Sequence, residues 1–158
     1  MGDELTHVDE HGHVGMVDVG SKQETGRKAV VRSVVRLAPS TLRMLMKQAL
    51  PKGDVLVTAK LAGIMAAKKT SELIPLCHPL FLSYVDVRFD VQQSENRIVV
   101  EAEARTTAAT GVEMEALVAA QTACMTIYDM CKAVQRDIVI EDCRLVHKSG
   151  GSSGTYQA

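Results

Sequence analysis

Cys77 and His78 stand side by side in the segment IPLCHPLFL, residues 74–82, directly before Pro79. Such a pair could bind a metal, act as a nucleophile with its base, clamp a substrate or simply pack in the core. A zinc site is disfavoured, because adjacent residues rarely converge on one metal and no second pair in the chain has ligand spacing. Pro79 restricts His78 to an extended conformation. These residues alone leave the other three possibilities open.

A second pair with chemical potential is Asp129 and Lys132 in the segment DMCK. On a helix these residues lie one turn apart, so the carboxylate and the amine can exchange the roles of acid and base. The same spacing also forms surface salt bridges worth roughly a few tenths of a kcal/mol, and spacing alone favours that interpretation. Glu113 and Glu115 begin the same helical pattern. Thr110 followed by Glu113 fits a capping box, so both glutamates could serve only the start of the helix.

Distance limits what these charges can do together. Glu115 and Asp129 are 14 residues apart, which is about 21 Å along a helix. One small reacting centre cannot touch both, so the ligand is long or each site draws on two chains. The helix face that carries them is also too apolar for a solvated surface, which predicts that a second subunit covers it. That face comprises Glu115, Val118, Thr122, Met125, Asp129 and Lys132.

The elements that must position these residues follow from periodicity and turn signals. Ser40 is the expected N-cap of a first helix that Pro51 ends, and Asp54 is the expected N-cap of a second helix rich in small residues. Alternating segments around SEN, residues 94–96, predict an antiparallel hairpin. The predicted strands are 28–37, 82–91, 97–107 and 137–148, and the predicted helices are 40–50, 55–70 and 110–134.

The element order β, α, α, β, β, α, β predicts an α+β fold. We expect a ferredoxin-like plait, in which helices pack on one face of an antiparallel sheet, with one additional helix. A single domain is predicted over 1–158, with an irregular arm over about 1–27 and a flexible tail over about 149–158. In the long helix, one stripe should face the sheet and hold both helical cysteines in the core. That stripe is Leu117, Ala120, Cys124, Ile127, Cys131 and Val134.

Composition excludes several classes of protein. The 158 residues have a formal net charge of -1, which argues against a general nucleic-acid binder. The four cysteines include no CxxC pair, which indicates reduced thiols, and no signal peptide or membrane span is evident. These features predict a cytoplasmic protein. No P-loop motif is present, and His7, His11 and His13 are more typical of solvated chain than of a metal site.

Four long segments in register resemble one known family. LIPLCHPL, TGVEMEAL, TIYDMCKAV and KSGG, preceded by MVDV and KGD, are similar to molybdenum cofactor biosynthesis protein C, the cyclic pyranopterin monophosphate synthases. The resemblance covers the chain from about Leu5 to Gly154. The family usually has a basic residue before TGVEMEAL, where this chain has Ala109.

The resemblance implies an enzyme of molybdenum cofactor biosynthesis, a phosphorus–oxygen lyase. It would convert 3',8-cyclo-7,8-dihydroguanosine 5'-triphosphate to cyclic pyranopterin monophosphate and release diphosphate. A ferredoxin-like fold is implied, with a homohexamer built as a trimer of dimers and active sites at the dimer interface. No organic cofactor is implied, and the sequence leaves a requirement for Mg²⁺ open.

The same resemblance assigns residues. Asp129 and Lys132 become the catalytic pair, and Cys77 and His78 become the rim of a nucleotide pocket. The full set of implied substrate-binding residues is Lys52, Lys68, Leu76, Cys77, His78, Glu113, Met114, Glu115 and Lys148, with Arg27 and Arg105 as further candidates for the phosphate side.

Chemical reasoning gives these residues expected roles. Burial near other lysines would lower the pKa of Lys132 toward a range useful for acid–base catalysis. Lys52, Lys148 and His78 would neutralise phosphate charge, and Glu113 and Glu115 would hold the guanine-derived ring. The alternative is a non-enzymatic, oligomeric nucleotide-binding module in which the same charges serve as caps and salt bridges.

Overall fold

A five-stranded antiparallel sheet forms the framework of the protein. The computed structural model describes residues 12–158. The strand order is β2-β3-β1-β4-β5, and every neighbouring pair is antiparallel. With the helices on one face, this is the predicted α+β arrangement of the ferredoxin-like type. The elements are β1 (Thr25–Arg36), α1 (Pro39–Met46), α2 (Val55–Ala67), α3 (Thr70–Leu73), β2 (Leu82–Gln92), β3 (Arg97–Ala108), α4 (Glu113–Cys131), β4 (Val139–Ser149) and β5 (Tyr156–Gln157).

Several element boundaries differ from the predictions. The predicted Ser40 cap is wrong, because α1 begins at Pro39 with Ala38 in the capping position. Proline suits the first helical position, since its fixed φ is already helical and its missing N–H needs no partner there. The short helix α3 was not predicted. The segment expected to be a flexible tail contains β5, which pairs with the end of β4.

The two long helices pack against each other through small residues. Gly63 of α2 lies so close to α4 that a Cβ there would stand 2.8 Å from the Ala119 carbonyl oxygen. The predicted Asp54 cap is confirmed, since its carboxylate accepts a hydrogen bond from the Val57 amide at 3.1 Å. Lys52, just before α2, contacts Asp129 near the end of α4. The two helices therefore run in opposite directions.

Helix α4 lies on the inner strands and fills the core with small side chains. Cys124 and Cys131 are fully buried on its sheet-facing stripe, as predicted. Burial raises the pKa of each thiol to about 11, so both remain protonated at neutral pH. Val134 is exposed because the helix ends three residues earlier, at Cys131.

The sheet face away from the helices carries a network of ion pairs. Its centre is Glu103, which is only 4% exposed and contacts Arg88, Arg105 and Lys28. Burial alone would raise the pKa of Glu103, but these three cations outweigh it and hold that pKa below its usual range. Within residues 12–158, no helix has the length and apolarity needed to cross a membrane.

Candidate active site

A carboxylate held between two ammonium groups lies at the C-terminal end of α4. Asp129 Oδ2 accepts a hydrogen bond from Lys52 Nζ at 2.7 Å, and Asp129 Oδ1 lies 2.7 Å from Lys132 Nζ. Lys52 also donates to the Asp129 carbonyl oxygen at 3.0 Å. Lys52 arrives from the turn between α1 and α2, while the other two residues are one turn apart on α4. We call these three residues the lysine–aspartate cluster.

The pKa of Lys132 in this cluster is shifted in the direction opposite to the one predicted. Hydrogen bonds from Lys132 and Lys52 lower the pKa of Asp129 to about 2. The Asp129 carboxylate raises the pKa of Lys132. The prediction of a lowered Lys132 pKa is therefore wrong for the single chain, because the amine is exposed and its nearest charge is negative. At neutral pH the pair exists as carboxylate and ammonium.

A cavity of about 320 Å³ lies near the N-terminal end of α4. We call it the Cys77 cavity. It brings together six of the predicted binding residues, which come from the loop before β2 and from the first turn of α4. They are Leu76, Cys77, His78, Glu113, Met114 and Glu115.

The Glu115 carboxyl and the Cys77 thiol of this cavity both have a raised pKa. Glu115 is only 3% exposed. Its pKa is raised, chiefly by burial and further by the negative charge of Glu113. The pKa of Cys77 is raised by burial and by Glu115. Cys77 is therefore a thiol at neutral pH, which disfavours its use as a nucleophile.

His78 is held by the chain that precedes β1. Its Nε2 lies 2.8 Å from the Val17 carbonyl oxygen. Because a carbonyl can only accept, Nε2 carries the hydrogen and donates it. Pro79 follows directly and disfavours a helical backbone at His78. The side chain of His78 thus joins the cavity wall to the arm before β1.

A smaller cavity, of about 190 Å³, adjoins the start of α4 and carries basic residues. We call it the Lys148 cavity. Lys148 Nζ donates to Ser153 Oγ at 3.0 Å and lies 3.4 Å from Glu113 Oε1. Glu113 borders both cavities. The two spaces are therefore adjacent.

Arg27 braces the Lys148 cavity. Its guanidinium donates to the carbonyl oxygens of Ala108 at 3.2 Å and Ala109 at 3.3 Å. The same guanidinium fills the space beside Gly151, where any side chain would overlap it. Arg27 therefore brings positive charge from β1 to the loop that contains Ala109.

Some expected features fall elsewhere. The predicted capping box is wrong, because Glu113 is the first residue of α4 and Val112 caps it without a side-chain hydrogen bond. Lys68 is the C-cap residue of α2 and borders neither the Cys77 cavity nor the Lys148 cavity. Arg105 lies on the opposite sheet face, where it pairs with Glu103 and covers the Tyr84 ring.

Sequence reasoning missed Lys22, which borders both cavities. It lies in the irregular arm, three residues after the MVDV motif. That motif is part of the family resemblance, so its nearness to Lys22 is a sequence signal that could have pointed to this residue. No periodicity marks an arm residue as facing a cavity, which is why Lys22 was not selected. Among residues 12–158, no group of three or more His, Cys, Asp and Glu side chains converges as metal ligands.

The fold and the site together define a class of protein. It is a small α+β plait with an aspartate held between two lysines at one end of its long helix α4 and two adjacent cavities at the other. More particularly, the chain belongs to the MoaC family, whose model matches residues 16–151. The proposed resemblance is thereby confirmed.

Close relatives carry one shared name. The chain is 71% identical over 154 residues to the cyclic pyranopterin monophosphate synthase of Oleidesulfovibrio alaskensis, covering 98% of this chain and 97% of the relative. It is 66% identical to the synthase of Nitratidesulfovibrio vulgaris, covering 98% and 96%. It is 60% identical to that of Desulfovibrio desulfuricans, covering 100% and 97%. These relatives confirm the enzyme class and give no support to a non-enzymatic module.

Proposed function

We propose that this protein converts 3',8-cyclo-7,8-dihydroguanosine 5'-triphosphate to cyclic pyranopterin monophosphate and releases diphosphate. The relatives' shared name supports a role in molybdenum cofactor biosynthesis. The observation that carries the chemistry is the Asp129 carboxylate held between Lys52 and Lys132. A substrate bound beside this cluster would meet a proton acceptor, the Asp129 carboxylate, and a proton donor, the Lys132 ammonium, side by side.

Asp129 and Lys132 are the proposed catalytic pair. Lys132 begins as an ammonium and donates a proton, after which its free amine is a base. Asp129 begins as a carboxylate and accepts one. When the substrate hydroxyl forms the cyclic phosphate, the bond between the retained phosphorus and the diphosphate oxygen breaks. Lys52 stabilises the charge that develops on the departing diphosphate.

The N-terminal end of α4 supplies the binding half of the site. Glu113 and Glu115 accept hydrogen bonds from the N–H groups of the guanine-derived ring, and Cys77 shapes the cavity wall. Lys148 binds phosphate, which displaces its contact with Glu113 at 3.4 Å. The remaining proposed binding residues are Leu76, His78 and Met114, which border the same cavity, and Lys68, which follows α2.

The complete site is built from two chains. The binding half and the lysine–aspartate cluster are at opposite ends of α4, with Glu115 and Asp129 about 21 Å apart along the helix. A twofold axis beside α4 would place the N-terminal end of α4 in one chain against the C-terminal end of α4 in the second copy. Apolar side chains of α2 and α4 support this contact between two copies, because they are between 54 and 61% exposed and a partner chain would cover them. They are Val57, Leu61, Met65 and Met125.

We extend this proposal to the assembly and the compartment. The dimers would associate as a trimer to form a homohexamer, and the protein would act in the cytoplasm on a small-molecule substrate. Neither nucleic acid nor membrane takes part. The reduced state of all four cysteines supports the compartment, since none is paired.

The decisive experiment is turnover of the authentic cyclised substrate. Diphosphate release and pyranopterin formation are expected with the cyclised nucleotide and not with GTP. Lys132→Ala should lower kcat by about 10²–10⁴-fold, the usual contribution of general acid–base catalysis. Unimpaired product formation by Lys132→Ala would contradict the assigned catalytic pair. Binding of the cyclised nucleotide without any turnover would contradict the proposed function.

A further inference from the structure

The chain before β1 forms one wall of the cavities at the N-terminal end of α4. Val17 and Val19 are half-buried and border the Cys77 cavity, whereas Asp18 between them is exposed. Lys22 follows and borders both this cavity and the Lys148 cavity. We call residues 16–22 the arm. Of the arm residues, Lys22 alone lies where the two cavities meet.

Three hydrogen bonds fix the path of the arm. His78 Nε2 donates to the Val17 carbonyl oxygen at 2.8 Å, which joins the arm to the cavity wall. The Gly20 amide donates to Asp18 Oδ1 at 2.8 Å, and the Lys22 amide donates to the Val19 carbonyl oxygen at 3.0 Å. The last two bonds form a turn that ends at Lys22. The arm therefore delivers the Lys22 side chain from a fixed point, although it contains neither helix nor sheet.

The other cations of the Lys148 cavity already have partners. Arg27 donates to two carbonyl oxygens, and Lys28 lies 3.4 Å from the buried Glu103 carboxylate. Lys148 contacts Ser153 and Glu113. The Lys22 ammonium, by contrast, has no hydrogen bond or ion pair with any residue in the described part of the chain. It is the cation of this cavity that can bind an anion without first breaking a contact.

We propose that Lys22 is a substrate-binding residue and that His78, beyond its place among the binding residues of the Cys77 cavity, also positions the arm that carries Lys22. This inference rests on the proposed function and adds residues to the same site. The ligand class is a nucleotide whose ring occupies the Cys77 cavity and whose phosphates extend toward the Lys148 cavity. Lys22 binds the phosphate nearest the ring, because it lies where the cavities join. His78 acts through the Val17 carbonyl and sets where the Lys22 ammonium sits.

The first test asks whether the positive charge of Lys22 contributes to substrate binding. Lys22→Gln should raise the KM for the cyclised substrate by about tenfold to a hundredfold, with a smaller change in kcat, since a hydrogen bond to a charged group is lost. Lys22→Arg should recover most of the affinity. Lys47→Gln is the matched control, because Lys47 is exposed at the end of α1 and borders neither cavity. A Lys22→Gln enzyme with the KM of the Lys47→Gln control would overturn the assignment.

The second test separates positioning from direct contact. If His78 acts by holding the arm, the effects of His78→Ala and Lys22→Gln on KM overlap, and the double variant is little worse than the worse single variant. Additive effects would mean that His78 acts independently, and would overturn its positioning role. Circular dichroism and Tm of each variant establish that the fold is retained.

A binding measurement distinguishes this inference from the proposed reaction. GTP supplies both a purine ring and a triphosphate, so its Kd for wild type and Lys22→Gln is measured by titration calorimetry. If the cyclised substrate is not turned over but GTP binding weakens at least tenfold in Lys22→Gln, the reaction is refuted and the Lys22 assignment stands. If turnover is normal and neither affinity depends on Lys22, the reaction stands and the assignment fails.

Discussion

A site shared between two copies of the chain predicts recovery of activity when two inactive variants are mixed. One variant carries Lys132→Ala, which damages the lysine–aspartate cluster. The other carries Glu113→Gln and Glu115→Gln, which remove both carboxylates of the Cys77 cavity. Each variant alone is expected to retain about one hundredth of the activity or less. The two sets of changes lie at opposite ends of α4, so neither directly disturbs the other.

The fraction of activity recovered in the mixture follows from how the two ends of α4 are distributed between the chains of a site. In the proposed dimer, about 21 Å divides Glu115 from Asp129 along α4, so each complete site would take its catalytic end from one chain and its binding end from the other. With equal and random mixing, the catalytic end is intact in about half of the sites and the binding end is intact in about half. Both are intact in about one quarter of the sites, whatever the number of dimers in the assembly.

The assay is diphosphate release by co-expressed chains that carry two different affinity tags. A matched control places all three substitutions on one chain and mixes it with wild type. A shared site gives about 25% of wild-type activity in both mixtures. A site contained within one chain gives no recovery in the first mixture and about 50% in the control. That second pair of values would refute the shared site and the proposed twofold contact beside α4.

Three further predictions concern the framework and the buried charge. Gly63→Ala should lower Tm by about 2–4 °C for each kcal/mol of stability lost. Overpacking against the Ala119 carbonyl costs about 1–3 kcal/mol, which exceeds the gain in helix propensity of about 1 kcal/mol. An unchanged or higher Tm would show that the helices can separate freely. Asp54→Ala should cost about 1 kcal/mol in urea unfolding, because the cap of α2 is lost, whereas Asp54→Ser should retain most of it. Burial and the charge of Glu113 raise the pKa of Glu115 in the folded protein. The contribution of Glu115 to stability is therefore fully present below the pKa that this residue has in the unfolded chain, and it is lost as pH rises through its pKa in the folded protein. Glu115→Gln should therefore have a higher Tm than wild type at about pH 8 and lose that advantage by about pH 4; a Tm difference independent of pH would contradict this.

Local patterns predicted most of the fold. The alternation of β2 and β3 and the Asp54 cap are short-range signals, and the structure confirms the hairpin and the cap that they predict. The Ser40 cap failed because a proline one residue earlier competes for the same helix start. The Thr110 capping box failed similarly, since α4 begins later than the pattern indicated. Helix starts depend on small free-energy differences between adjacent residues, so a sequence pattern identifies the element more reliably than its first residue.

The candidate site divides in the same way. The sequence by itself determined the residue types and their spacing along α4, because a helix converts residue number into distance and direction. It therefore predicted the pairing of Asp129 with Lys132 and the separation of the two ends. Only the tertiary structure decided which distant segments meet them: Lys52 at one end, and Lys22 with Arg27 at the other. Such contacts join residues far apart in the chain, and they depend on how the whole sheet and its loops pack.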